Sequence, residues 1–120
     1  MEHEIIQLFI EASGISKEDL LSHSHKQEFV IVRQSIWYSM RCQEFTYTRI
    51  GNIFGRKHTT IISGVKCVNN YLLTGDEILK PLLEAINTFY NEEHKVEISQ
   101  RKKTLFPGLY EELYEILTED

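Results

Sequence analysis

Seven consecutive residues, Phe54-Gly55-Arg56-Lys57-His58-Thr59-Thr60, bring a glycine, two cations, an imidazole and two hydroxyls together between two apolar segments. Such a set suits an anionic ligand, and two geometries could use it. In a phosphate-cradling loop of the form G-x-x-x-x-G-K-[ST], backbone N–H groups following a buried strand wrap the phosphates and the lysine reaches across them. Here Gly51 and Gly55 are separated by three residues, Gly55 is followed by Arg56, and the preceding residues follow a helical pattern. Spacing and context both fail, and no acidic strand follows to hold Mg²⁺. In a helix-turn-helix, the turn and the first N–H groups of the second helix meet phosphates, while its N-terminal side chains face base edges in the major groove. Arg56 and Lys57 then lie at the positive end of that helix, and His58, Thr59 and Thr60 project from its first turn. Histidine can donate or accept a hydrogen bond, and a threonine methyl packs on the thymine methyl. Without a ligand, the same residues read as a Thr59 or Thr60 cap beside two solvated cations.

Holding such a turn requires helices on both sides, and the apolar spacing predicts an all-α chain. Ile5, Ile6, Phe9 and Ile10 share one side of a short helix that stops at Gly14. Ser16, followed by Glu18 and Asp19, caps a second short helix through Leu20 and Leu21. From about Lys26 to Gln43 there is no Gly or Pro, and Phe29, Val32, Ile36 and Met40 recur at helical spacing, which marks a central helix. Thr46 is placed to cap a segment that turns Ile50, Ile53 and Phe54 inward and breaks at Gly55. A longer helix from about Lys57 to Leu73 repeats Ile61, Val65, Val68 and Leu72 at i, i+4, i+7 and i+11, and Thr74-Gly75 ends it. Residues 1–75 thus form one helix-turn-helix domain, and residues 76–120 an acidic helical extension. In that extension Asp76 can cap a helix bearing Leu82, Leu83, Ile86, Phe89 and Tyr90, with its start near Lys80 because Pro81 is tolerated only in a first turn. A polar stretch from Asn91 to Thr104, with the basic run Arg101-Lys102-Lys103, reads as exposed and mobile. After Pro107-Gly108, Leu109, Leu113 and Leu117 with Tyr110 and Tyr114 suggest a terminal helix.

The chain's 120 residues suffice for one core, and 26% charged against 42% hydrophobic residues is an ordinary soluble balance. No apolar run approaches the ~20 residues of a membrane span, and the acidic start MEHEII is unlike a signal peptide, so a cytoplasmic protein is expected. The net charge of −5 is unevenly distributed. Residues 1–23 carry one lysine and five acids (−4), residues 24–75 seven Lys/Arg and two acids (+5), and residues 76–120 five and eleven (−6). Screening over ~10 Å lets the basic middle present its own field despite the acidic flanks.

The pattern Ile50-Gly51-Asn52-Ile53-Phe54-Gly55-Arg56-Lys57-His58-Thr59-Thr60-Ile61 resembles the signature I-G-x-x-F-G-G-R-D-H-T-T-V of domain IV of the bacterial replication initiator DnaA, a Trp-repressor-like DNA-binding bundle. Upstream, Asp19-Leu20-Leu21-Ser22 is similar to the family's D-L-L-S, and Val32-Arg33-Gln34 with Tyr38 to its R-Q segment, so the likeness spans roughly residues 4–74. The resemblance implies that Arg33 reaches into a minor groove and that His58, Thr59 and Thr60 contact bases in the adjacent major groove. It places Arg56 at a phosphate or base, Thr46, Tyr47 and Thr48 at the backbone-contacting start of the motif's first helix, and Lys66 at a basic position along the recognition helix. Arg49 and Lys26 are phosphate contacts by position only. The chain departs from the signature at three places. One glycine, Gly55, stands where the family has two; Lys57 replaces an acid, exchanging an acceptor for cytosine N4 for a donor suited to guanine or phosphate; and His23-Ser24-His25-Lys26 replaces an arginine-rich loop. The family's ATPase module does not occur in these residues, so ATP-driven origin opening is not expected of this chain by itself.

No other constellation competes. His23 and His25 lack the Cys or acid partners of a metal site, and Cys42 and Cys67 match no zinc or redox spacing. No catalytic arrangement can be placed, so neither an enzyme nor a cofactor is expected. Trp37 and Tyr38 read as core residues rather than a base-stacking platform. The segment 76–120 leaves three readings open: a helix packed on the domain's open side, a homodimer contact, or an amphipathic partner-binding helix. Two functions follow. The first is a non-enzymatic protein that recognises double-stranded DNA sequence-specifically, in replication initiation or transcription control. The second is a protein-interaction module with a degenerate DNA face, acting through its acidic C-terminal helices.

Overall fold

The computed structural model describes residues 1–90 of the chain, and every regular element among them is helical. The polar stretch 91–104 and the terminal helix expected after Gly108 lie outside the described residues. At the centre is α3 (Gln27–Cys42), in which Ile31, Val32, Ile36, Trp37, Tyr38, Met40 and Cys42 are all buried. A helix apolar on so many sides must be covered on several of them. On one side lie α1 (Glu2–Ser13), which ends at Gly14 in the left-handed conformation, and α2 (Lys17–Leu21). The N-cap Ser16 Oγ of α2 accepts from Asp19 N at 3.2 Å, a bond worth about 1 kcal/mol to a helix of this kind. They contribute Ile5, Ile6, Phe9 and Leu20 to the core.

On another side lie α4 (Tyr47–Phe54) and α5 (His58–Thr74). The α3–α5 seam is close because Gly64 offers no side chain there: a Cβ at that position would stand 2.5 Å from Cε3 of Trp37. The same indole meets Phe54 of α4 edge-to-face, with centroids 5.8 Å apart and planes at 79°. Trp37 is thus the wedge on which both helices of the motif rest, in agreement with its reading as a core residue.

Beyond Gly75 the chain turns back over the same core. Asp76 Oδ1 accepts from Ile78 N at 3.0 Å and opens a 3-10 helix, Glu77–Leu82, which passes into α6 (Leu83–Thr88). The α-helix therefore begins at Leu83, after Pro81, rather than near Lys80. Leu79, Leu82, Leu83, Ala85, Ile86 and Phe89 are buried in one cluster with α1, α3 and α5, so the packed unit continues past residue 75. Gln43 at the end of α3 donates from Nε2 to the carbonyl of Phe89 at 2.7 Å and ties this return to the central helix. No helix among the described residues is long and apolar enough to cross a membrane.

Candidate nucleic-acid interface

Helices α4 and α5 are joined by three residues, and each bond in the turn has a local cause. Thr46 caps α4 by accepting from Arg49 N at 3.1 Å. Gly55 ends α4 at φ 65°, a left-handed conformation that L side chains adopt only under strain. The N–H of Arg56 then returns to the carbonyl of Gly51 at 2.8 Å. That approach is possible because Gly51 has no side chain: a Cβ there would lie 2.5 Å from the carbonyl oxygen of Arg56. Both glycines are conformational requirements of the turn. The single glycine before Arg56 is enough to close it.

Lys57 is the N-cap of α5, with an extended backbone and no capping bond from its side chain. Lys57, His58, Thr59 and Thr60 are all exposed, and the first turn of α5 contains no acidic residue. Helix N-termini carry partial positive charge and uncapped N–H groups, so this end is suited to an anion. His58, Thr59 and Thr60, expected to project from the first turn of the second helix, are exposed there beside Lys57. Lys66 is exposed farther along α5. It belongs to a polar stripe, Thr59, Ser63, Lys66 and Asn70, at i, i+4, i+7 and i+11, opposite the buried stripe of Ile61, Val65, Val68 and Leu72. Ser63 and Asn70 were not singled out from the sequence, although the spacing that identified the buried stripe also fixes its reverse face.

At the start of α4, Thr46 and Thr48 are exposed and Tyr47 is half-buried beneath the Arg41 guanidinium, 4.9 Å from the ring centroid. Arg49 is exposed and lies 3.9 Å from the ring centroid of Phe45, on which its planar group can rest. Between Glu44 and Asp76 the chain has no Asp or Glu, while Arg49, Arg56, Lys57 and Lys66 all fall within that stretch. The motif is therefore cationic within a chain of net charge −5.

The two arginines assigned to DNA by resemblance both bond main-chain carbonyls in the structure. Arg33 is 3% exposed, and its guanidinium donates to the carbonyls of Leu20 (2.8 Å), Ser24 (3.1 Å) and Asp19 (3.3 Å). The physical reason is that α2 and the loop after it turn main-chain carbonyls toward α3; the guanidinium donates to those of Leu20 and Ser24 and shares that of Asp19 with Ser22. Burial pushes its pKa below the usual arginine value, and the nearby charge of Arg56 adds to the effect. Arg56 does belong to the site, but its Nη2 donates to the carbonyl of Ser22 at 2.9 Å and its Nη1 to that of Phe54 at 3.2 Å. Its pKa, too, is lowered by burial. The loop from Ser22 to Lys26, which carries exposed His23, His25 and Lys26, is fastened to α3 by Arg33 and to the turn before α5 by Arg56.

The profile of a family described as "Bacterial dnaA protein helix-turn-helix" matches residues 3–68. The chain is similar to "Chromosomal replication initiator protein DnaA 1" of Chlamydia pneumoniae, at 29% identity over 93 residues, covering 77% of this chain and 20% of that protein. It is similar also to "Chromosomal replication initiator protein DnaA" of Picosynechococcus sp., at 34% identity over 93 residues, covering 76% and 20%. A third relative, "Chromosomal replication initiator protein DnaA 2" of Chlamydia caviae, is 30% identical over 100 residues, covering 74% and 22%. The chain spans about a fifth of the length of these curated relatives. No solved structure gives a significant match.

Proposed function

The chain belongs to the bacterial DnaA helix-turn-helix family, and on that premise we propose that it binds double-stranded DNA sequence-specifically, in replication initiation or transcription control, by seating the start of α5 in the major groove. The observation that carries this reading is the uncapped, acid-free start of α5, where Lys57, His58, Thr59 and Thr60 stand exposed together. Backbone N–H groups there and at the start of α4 meet phosphates, which fixes orientation, while His58, Thr59 and Thr60 read base edges. Lys66 and Arg49 add phosphate contacts on either side. Arg33 can enter a minor groove only by loosening its bonds to the carbonyls of Leu20, Ser24 and Asp19.

Selection from a random duplex pool at two salt concentrations tests the reading. An enriched motif is expected, with affinity falling steeply as salt rises, by a log–log slope of about −0.9 per phosphate neutralised. Changing the exposed His58 to Ala is expected to lower affinity for the selected site by about 1–3 kcal/mol while leaving thermal unfolding unchanged. Weak binding with no motif and little salt dependence would instead favour the protein-interaction module.

A further inference from the structure

Among the side chains at the start of α5, Lys57 differs from its neighbours in chemistry. His58, Thr59 and Thr60 can each donate or accept, whereas an ammonium group only donates. Arg56, the adjacent cation, is already engaged with the carbonyls of Ser22 and Phe54. Lys57 is exposed, makes no capping bond, and has no acid close to it in sequence, since none occurs between Glu44 and Asp76. Its extended backbone, at φ −68° and ψ 146°, puts it at the very tip of the recognition helix, ahead of His58. In a helix seated N-terminus first, that tip faces the floor of the groove.

Resting on the DNA-binding reading above, we infer that Lys57 is a specificity-determining residue that selects guanine at one position of the bound site. Guanine presents two adjacent acceptors in the major groove, O6 and N7. Adenine pairs its N7 with an amino donor, cytosine offers a donor, and thymine offers one acceptor beside a methyl group. A donor-only side chain therefore favours guanine, where it meets two acceptors and no donor or methyl beside them. An acidic side chain at the same position would instead accept from the cytosine amino group.

The test uses the full chain in parallel selections from one random duplex pool, with the wild type, Lys57→Ala and Lys57→Glu. The wild type is expected to enrich a motif with one strongly guanine column. Lys57→Ala should flatten that column, lowering discrimination about tenfold, and leave the others unchanged; Lys57→Glu should move it toward cytosine. If Lys57→Ala keeps every column and only weakens binding uniformly, with the salt slope reduced by about one, Lys57 is a phosphate contact and the inference is overturned. A wild-type motif without a guanine column dependent on Lys57 overturns it as well. If the wild type enriches no motif, the DNA-binding reading fails and takes the inference with it, a result distinguishable from the other two.

Discussion

Arg33 and Lys57 show how far residue type alone determines role. Both are cations in a family whose name implies DNA, yet one is consumed by the fold and the other is presented to solvent. The partners of Arg33 are carbonyls 13, 9 and 14 residues away in sequence, so only the packing of α2 against α3 reveals them. Nothing local to the Val32-Arg33-Gln34 segment distinguishes a buried staple from an exposed reader. Replacing Arg33 with Ala would take the guanidinium donors from the carbonyls of Leu20 and Ser24, while that of Asp19 keeps its bonds from Ser22 N and Oγ. The lowered pKa of Arg33 signals that the guanidinium already bears a desolvation cost, which offsets part of what its bonds contribute. A net destabilisation of about 2–4 kcal/mol is expected for Arg33→Ala in urea unfolding, with an unchanged slope. A side chain that served only to enter a minor groove would leave unfolding as in the wild type and lower affinity alone.

At the scale of elements, the features legible in the sequence were those with local causes. Ser16, Thr46 and Asp76 each accept the capping bond that their position implies, and Gly14, Gly55 and Gly75 each adopt the left-handed conformation that ends a helix. The start of α6 was less legible because Pro81 is accommodated in a 3-10 turn that buries Leu79 and Leu82. The close approach at Gly64 was not legible at all, since it depends on Trp37 in another helix. Gly64→Ala should gain up to ~1 kcal/mol in helix propensity but lose more by driving its Cβ into the indole, a net loss of about 1–2 kcal/mol. Thermal denaturation would measure it. Gly51→Ala meets a backbone carbonyl instead, so the turn itself must shift and α5 with it. It is expected to weaken duplex binding beyond its effect on stability, as a comparison of affinity well below the unfolding midpoint would show.

On the scale of the whole molecule, the acidic total of −5 conceals a division of labour. The cationic motif lies at one part of the bundle, and residues 76–90 close the core behind it with Leu79, Leu82, Leu83, Ala85, Ile86 and Phe89. Any partner or second copy recognised through residues 76–90 would have to use their outer face, because those apolar side chains are already buried here. A bundle built in this way packs α5 at Gly64 and α4 at Phe54 against Trp37 while leaving the first turn of α5 exposed. The central claim is that this turn is what enters DNA, and an amide-resolved NMR titration of the full chain with the selected duplex tests it most directly. The largest shifts are expected on Lys57, His58, Thr59 and Thr60, with smaller ones at Thr46 to Thr48 and at Ser63 and Lys66. Shifts confined to α1 or α6, with the amides of Lys57 to Thr60 unmoved at saturation, would contradict it.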